Sequence, residues 1–178
     1  MKILFVAAVD FELNVARAVR PGAGDSFLCT GMGPEATRCA LEPVLAAGGF
    51  DLAVDLGVAG SCDPARFPVG SVVQVTAEQF GDRPGALLRN PAPPACLAGL
   101  PQAVGNTVPA LAAQYRSREA DVETMEGAAF FEACLAAGVP FAEIRAVSNA
   151  VGEEDRSRWD IPLALKNLQA FLNSLTLE

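Results

Sequence analysis

Two hydrophobic patterns alternate along this chain: short apolar runs and longer segments whose apolar residues recur at helical spacing. Residues 2–9 carry an almost continuous apolar run, as expected of a strand covered on both faces. A helix follows from Asp10-Phe11-Glu12-Leu13 through Val19, with Pro21, Gly22 and Gly24 turning the chain. Ser26 to Thr30 reads as a short strand running into Gly31-Met32-Gly33-Pro34. Pro34 suits the first turn of a helix that continues to about Ala47 and stops at Gly48-Gly49. Asp51 to Leu56 is a further buried strand, expected to end in a glycine-rich turn, Gly57-Val58-Ala59-Gly60-Ser61. Gly70 to Ala77 is a valine-rich strand.

Residues 78–108 interrupt the alternation. Five prolines and four glycines there leave no room for a regular element of useful length, so an irregular or shortened region is expected. Beyond it the pattern predicts a short helix from Pro109 to Arg116 and an extended segment from Ala120 to Thr124. A helix over Glu126 to Ala137 and a buried strand over Pro140 to Val147 follow. The last helix, about Pro162 to Leu175, carries the stripe Leu165, Leu168, Leu172 and Leu175. Alternating strands and helices point to an α/β sheet with both faces covered. At 178 residues the chain has the length of one domain, 1–178.

Composition narrows the function classes. The formal net charge of −8 argues against a nucleic-acid partner, which needs a basic face. Five scattered cysteines with no Cys-x-x-Cys pair suit a reducing compartment and inert thiols. Asp10 and Glu12 interrupt the first apolar run, which therefore reads as a strand rather than a signal peptide, and no run has membrane-spanning length. A soluble, cytoplasmic protein is expected. The chain has no histidine, which removes the commonest general base and the commonest zinc ligand. Acid–base chemistry then falls to carboxylates, amides, Tyr115, lysines or thiols.

Three places could carry chemistry. Gly31-Met32-Gly33-Pro34-Glu35-Ala36 has the form G-x-G-x-x-A between a strand and a helix. It follows the second strand, however, and Asp51 and Asp55 are poorly placed as ribose-binding acids, so a tight turn that packs a helix or approaches another ligand is the better reading. Glu12 stands where the first strand meets its helix, where an acid can serve the helix dipole alone. Glu126 occupies a similar place, but a carboxylate there can also accept both hydroxyls of a ribose diol, with Met125 as a soft apolar floor. Arg145 and Asn149 put polar atoms at the end of an otherwise buried strand, where a ligand can meet them.

Asp10-Phe11-Glu12, Gly57-Val58-Ala59-Gly60, Val122 to Ala129 and Arg145 to Asn149, in this order, resemble the purine nucleoside phosphorylase and nucleosidase superfamily. Within it, Met125 to Phe131 and Arg156 to Pro162 are most similar to the futalosine hydrolases of menaquinone biosynthesis. The resemblance covers residues 1 to about 80 and about 120 to the end. It implies a three-layer α/β/α sandwich with a central mixed twisted sheet. It also implies an enzyme that hydrolyses an N-glycosidic bond of a small-molecule nucleoside, with no cofactor and no metal, as a homo-oligomer.

The resemblance assigns Glu12 as the base that activates water, with Arg145 helping to hold that water. Met125 and Glu126 lie under and beside the ribose, Ala59 and Gly60 along the base, and Glu123 is a neighbour of the substrate or a structural acid. Asn149 stands where adenine-specific members carry an aspartate that protonates the purine. An amide there suits the O6/N7 edge of a 6-oxopurine such as hypoxanthine. A related purine nucleosidase or phosphorylase, or a catalytically weak nucleoside-binding protein, remains open at this point. The superfamily's further strand and loop between residues like 76 and 120 look shortened in this chain.

Overall fold

The computed structural model describes residues 1–20 and 24–175; Pro21 and Gly22 fall outside the described residues. Its elements run β1 (Ile3–Ala7), α1 (Asp10–Val19), β2 (Ser26–Cys29), α2 (Pro34–Ala47), β3 (Leu52–Ser61), β4 (Val72–Phe80), β5 (Leu88–Arg89) and β6 (Gln102–Thr107). After these come β7 (Val122–Thr124), α3 (Gly127–Ala137), β8 (Phe141–Ala150) and α4 (Ile161–Ser174).

The eight strands form one mixed sheet with helices on both faces. Residues on one face of the central strands, such as Ala53, Ala59, Phe141 and Val147, pack with Leu41 and Leu45 of α2 and Phe130 and Phe131 of α3. Those on the other face, such as Val54, Leu56, Ile144 and Ala146, pack with Leu13 of α1 and Leu168 and Leu172 of α4. The period of two in the strands sends alternate residues to the two cores. This is the expected three-layer α/β/α sandwich with a central mixed sheet.

β1 lies between β2 and β3, parallel to both, and β3 runs parallel to β8 along its whole length. β8 pairs antiparallel with β4, β4 parallel with β6, and β6 parallel with β7. β7 then returns antiparallel to Gly60 and Ser61 at the end of β3. Five strands thus close a ring, which removes their open edges and gathers the carboxyl ends of β3 and β8 beside β7.

Four stretches differ from the sequence reading. Gly57 to Ser61 is strand, not turn, because β8 on one side and β7 on the other satisfy its backbone. Inside the segment expected to be irregular, β4 continues to Phe80, β5 pairs with β4, and β6 forms. Its Gly105 and Asn106 disfavour a strand locally, and pairing to both β4 and β7 overrides that preference. Pro109 to Arg116 is not an α-helix; only Ala113–Tyr115 makes a 3-10 turn, and Leu111 lies exposed at the edge of a cleft. β8 continues to Ala150, so Arg145 sits in mid-strand rather than at its end.

Candidate active site

Glu12 enters from the first turn of α1 and is buried, its Oε1 accepting the Val58 N–H at 2.9 Å. Opposite Gly57 in the register of β3 and β8 stands Arg145. A Cβ on Gly57 would collide with Arg145 Nη1 and lie 2.9 Å from Glu12 Oε1. A side chain here would therefore displace both groups, and only glycine lets a base and a cation converge over one point of the strand. Burial pushes the Glu12 carboxyl above the usual carboxylate range, against the pull of Arg145 and of the Val58 N–H, while Glu126 pushes it further up. The arrangement suits a carboxylate that takes a proton from a water held beside it by Arg145.

Arg145 is fully buried between two anions: Nη2 pairs with Asp55 on β3, and Nε donates to Glu143 Oε1 at 2.7 Å. These acids hold its pKa above the ordinary arginine value despite the burial. Its remaining donor edge faces the Gly57–Glu12 side. Neither Asp55 nor Glu143 was singled out as part of this site from sequence. Acids inside apolar strands at partnered positions were the available signal, since a buried carboxylate needs a cation or a proton.

Glu126 stands at the N-terminus of α3 and is buried, yet it does not cap its own helix. Its Oε1 accepts the backbone N–H of Gly33, 3.0 Å away, at the start of α2. The G-x-G-x-x-A turn thus presents its helix-terminal N–H to a carboxylate of this chain. Gly33, with φ of 94°, adopts a backbone conformation that other residues rarely take. Asp55, the other half of the dinucleotide reading, is committed to Arg145. Glu126 also acts electrostatically on Glu12. Met125 is half-buried between β7 and α3.

β8 holds one residue more than β3 between Val147 and Asn149, and this irregularity re-aims the strand end. The extra residue, Ser148, is buried and donates to Asn149 Oδ1 at 2.7 Å. Asn149 Nδ2 in turn donates to the Ala150 carbonyl at 3.0 Å. Each end of the amide has one such partner and keeps one further hydrogen-bonding position, so it can still both donate and accept. Gly60 pairs with Asn149 on one side and Glu123 on the other, and both of these line a cleft of about 220 Å³ with Arg116, Gly152 and Trp159. Ala59, predicted to lie along the base, packs its side chain into the core and can meet a ligand only through its backbone. Glu12, Arg145 and Glu126 therefore form one group and Glu123, Gly60 and Asn149 a second, joined along β3 and β8.

A family model described as the Phosphorylase superfamily matches residues 96–176. Futalosine hydrolase of Streptomyces coelicolor is 38% identical over 127 residues, covering 68% of this chain and 46% of that protein. Futalosine hydrolase of Thermus thermophilus is 48% identical over 59 residues, 33% of this chain and 26% of that protein. The chain thus spans less than half the length of the curated relatives it matches. Among solved structures, the native futalosine hydrolase of Helicobacter pylori superposes with a TM-score of 0.79 at 16% identity, covering 97% of this chain and 95% of that one. A 5′-methylthioadenosine/S-adenosylhomocysteine nucleosidase from Colwellia psychrerythraea in complex with adenine gives a TM-score of 0.80 at 20% identity, covering 97% and 93%. At these identities the structures attest the fold. The sequence relatives bear out the resemblance to the nucleosidase superfamily and to its futalosine hydrolases.

Proposed function

We propose that this chain is a nucleosidase that hydrolyses the N-glycosidic bond of futalosine, releasing hypoxanthine, as a step of menaquinone biosynthesis. The observation that carries the proposal is the convergence of Glu12 and Arg145 over Gly57, with Glu126 coupled to both and Asn149 four residues beyond Arg145 on the same strand. The names of the sequence relatives support futalosine as the substrate.

In this reading the ribose lies against Met125 with its hydroxyls on Glu126, and the base reaches the Asn149 end. Water between Glu12 and Arg145 attacks the anomeric carbon as the bond to the purine breaks. The sugar passes through an oxocarbenium-like state, the water proton goes to Glu12, and the bonding electron pair leaves with the purine, which takes a proton from solvent to become the neutral base as Glu12 gives its own back to solvent. Asn149 Nδ2 donates to the O6/N7 edge, where negative charge develops in the leaving base. An amide supplies a hydrogen bond and no full proton, which matches a 6-oxopurine better than adenine. No step calls for a metal or an organic cofactor.

The same reading places the enzyme in the cytoplasm as a homo-oligomer. Exposed Phe11 and Met32 flank Glu12 and Gly33 in sequence, an apolar rim that a second copy could cover. The test of function is to incubate the protein with futalosine and, separately, with methylthioadenosine, and to follow the freed bases chromatographically. Hypoxanthine release is expected; adenine release without hypoxanthine would sink the assignment.

A further inference from the structure

The group around Arg145 contains more buried acid than its chemistry uses. Glu78 on β4 has no exposed surface and lies beside Glu143. Thr107 donates to its Oε2 at 2.9 Å and Thr124 to its Oε1 at 3.1 Å, and Thr107 itself accepts the Ala128 N–H at 2.7 Å. The two threonine hydroxyls are 3.0 Å apart and either can donate to the other. Thr124 can therefore turn its proton to Thr107 and free Glu78 Oε1. That oxygen would collide with a Cβ placed on Gly127, and Glu143 Oε1 lies 2.7 Å from the same point. The missing side chain of Gly127 is what lets the two carboxyl groups meet.

Charge decides what such a meeting needs. Glu12, Asp55, Glu78, Glu126 and Glu143 are buried around the guanidinium of Arg145, with Cys134 of α3 as a further titratable neighbour. Asp55 and Glu143 take the two ion pairs of Arg145, and Glu12 must be ionised to act as a base. Glu143 Oε2 is buried with no hydrogen-bond donor, and two adjacent ionised carboxylates cannot persist in so little solvent. A proton on Glu78 Oε1, which the open space at Gly127 sets beside Glu143 Oε1, removes that repulsion.

We infer that Glu78 is a protonated carboxylic acid in the resting protein and donates to Glu143, which stays an anion and, with Asp55, aims Arg145 at the attacking water. Glu143 is then a positioning residue acting through Arg145, and Glu78 is a neutral donor that holds Glu143 in place. The catalytic part of this assignment rests on the nucleosidase reading above; the proton assignment does not. Burial and the neighbouring Glu143 hold the Glu78 carboxyl well above its ordinary value, in keeping with the geometry.

The prediction is an asymmetry between two isosteric changes. Glu78→Gln replaces a neutral acid by a neutral amide and should keep kcat within about threefold of the parent, with an unchanged pH profile. Glu143→Gln removes the anion and should lower kcat about a hundredfold with KM within about twofold, because Arg145 loses its aim and the sugar and base contacts remain. It should also move the acidic limb of activity to lower pH, since the less neutralised Arg145 acts more strongly on Glu12. Infrared spectroscopy of the resting protein, with no substrate, should show a carboxylic-acid carbonyl band that disappears in Glu78→Gln.

Circular dichroism checks that each variant is folded; should Glu143→Gln not fold, the infrared comparison decides the proton assignment alone. Absence of the band, its persistence in Glu78→Gln, or equal activity in the two variants would overturn the inference. A parent protein that releases no base from any nucleoside but shows the Glu78 band would refute the function and leave the proton assignment standing.

Discussion

Glu12 draws its chemistry from conflict between its surroundings. Burial favours the neutral acid, while Arg145 and the Val58 N–H favour the anion, and the net effect is a pKa raised above the ordinary glutamate value. A base must be ionised to work, so activity should fall on the acidic side through a midpoint above the usual carboxylate range. A kcat profile against pH measures this directly. Glu12→Gln should lower kcat by about 10²–10⁴-fold with little change in KM, the usual scale for a lost general base. At the other end of the site, Asn149 is held by Ser148, whose hydroxyl donates to the amide oxygen, while Nδ2 donates to the Ala150 carbonyl. Ser148→Ala should cost about tenfold in kcat/KM, the worth of one well-placed hydrogen bond. Asn149→Asp should shift preference from hypoxanthine towards adenine nucleosides, read as the ratio of the two bases released.

Among the elements, β3 and β8 carry the site, and their glycines explain how. Gly57→Ala introduces the methyl group that Arg145 and Glu12 exclude, so activity should fall by about a hundredfold or more while the far-UV dichroism stays close to the parent's. An enzyme that tolerates Gly57→Ala would place the reacting centre elsewhere. The strand and helix alternation was readable because buried strands and amphipathic helices differ in period. Glu12, Glu126 and Asn149 were readable as acids or amides at element boundaries. Asp55, Glu78 and Glu143 showed only as acids inside strands, a signal that does not reveal the partner that tertiary pairing brings to each. The strand character of Gly57 to Ser61 was hidden for a related reason: glycine signals a turn locally, and here it serves close approach. β6 was hidden because its stability comes from β4 and β7 rather than from its own residues.

For the molecule as a whole, burying several acids about one cation links stability to pH. The folded-state pKa values of Asp55, Glu78 and Glu143 are all raised, mainly by burial. A raised carboxyl binds its proton more tightly folded than unfolded, so its contribution is fully present below the unfolded pKa and is lost as pH rises through the folded one. Calorimetry should therefore show the Glu78→Gln protein gaining melting temperature relative to its parent as pH rises from about 5.5 to about 8.5. A constant difference would contradict the buried-proton account. The two cores hold α1 and α4 against one face of the sheet and α2 and α3 against the other. α1 brings Glu12 to the site from one layer, and the turns that open α2 and α3 bring Gly33 and Glu126 from the other. The central claim is that this convergence activates water against a purine nucleoside. Its most direct measurement is futalosine cleavage in ¹⁸O-labelled water, with Glu12→Gln in parallel, following the free base and the mass of the sugar product. The account predicts hypoxanthine and a sugar carrying one ¹⁸O at its anomeric position, both nearly abolished in Glu12→Gln. A sugar 1-phosphate in phosphate buffer, or cleavage undiminished in Glu12→Gln, would contradict it.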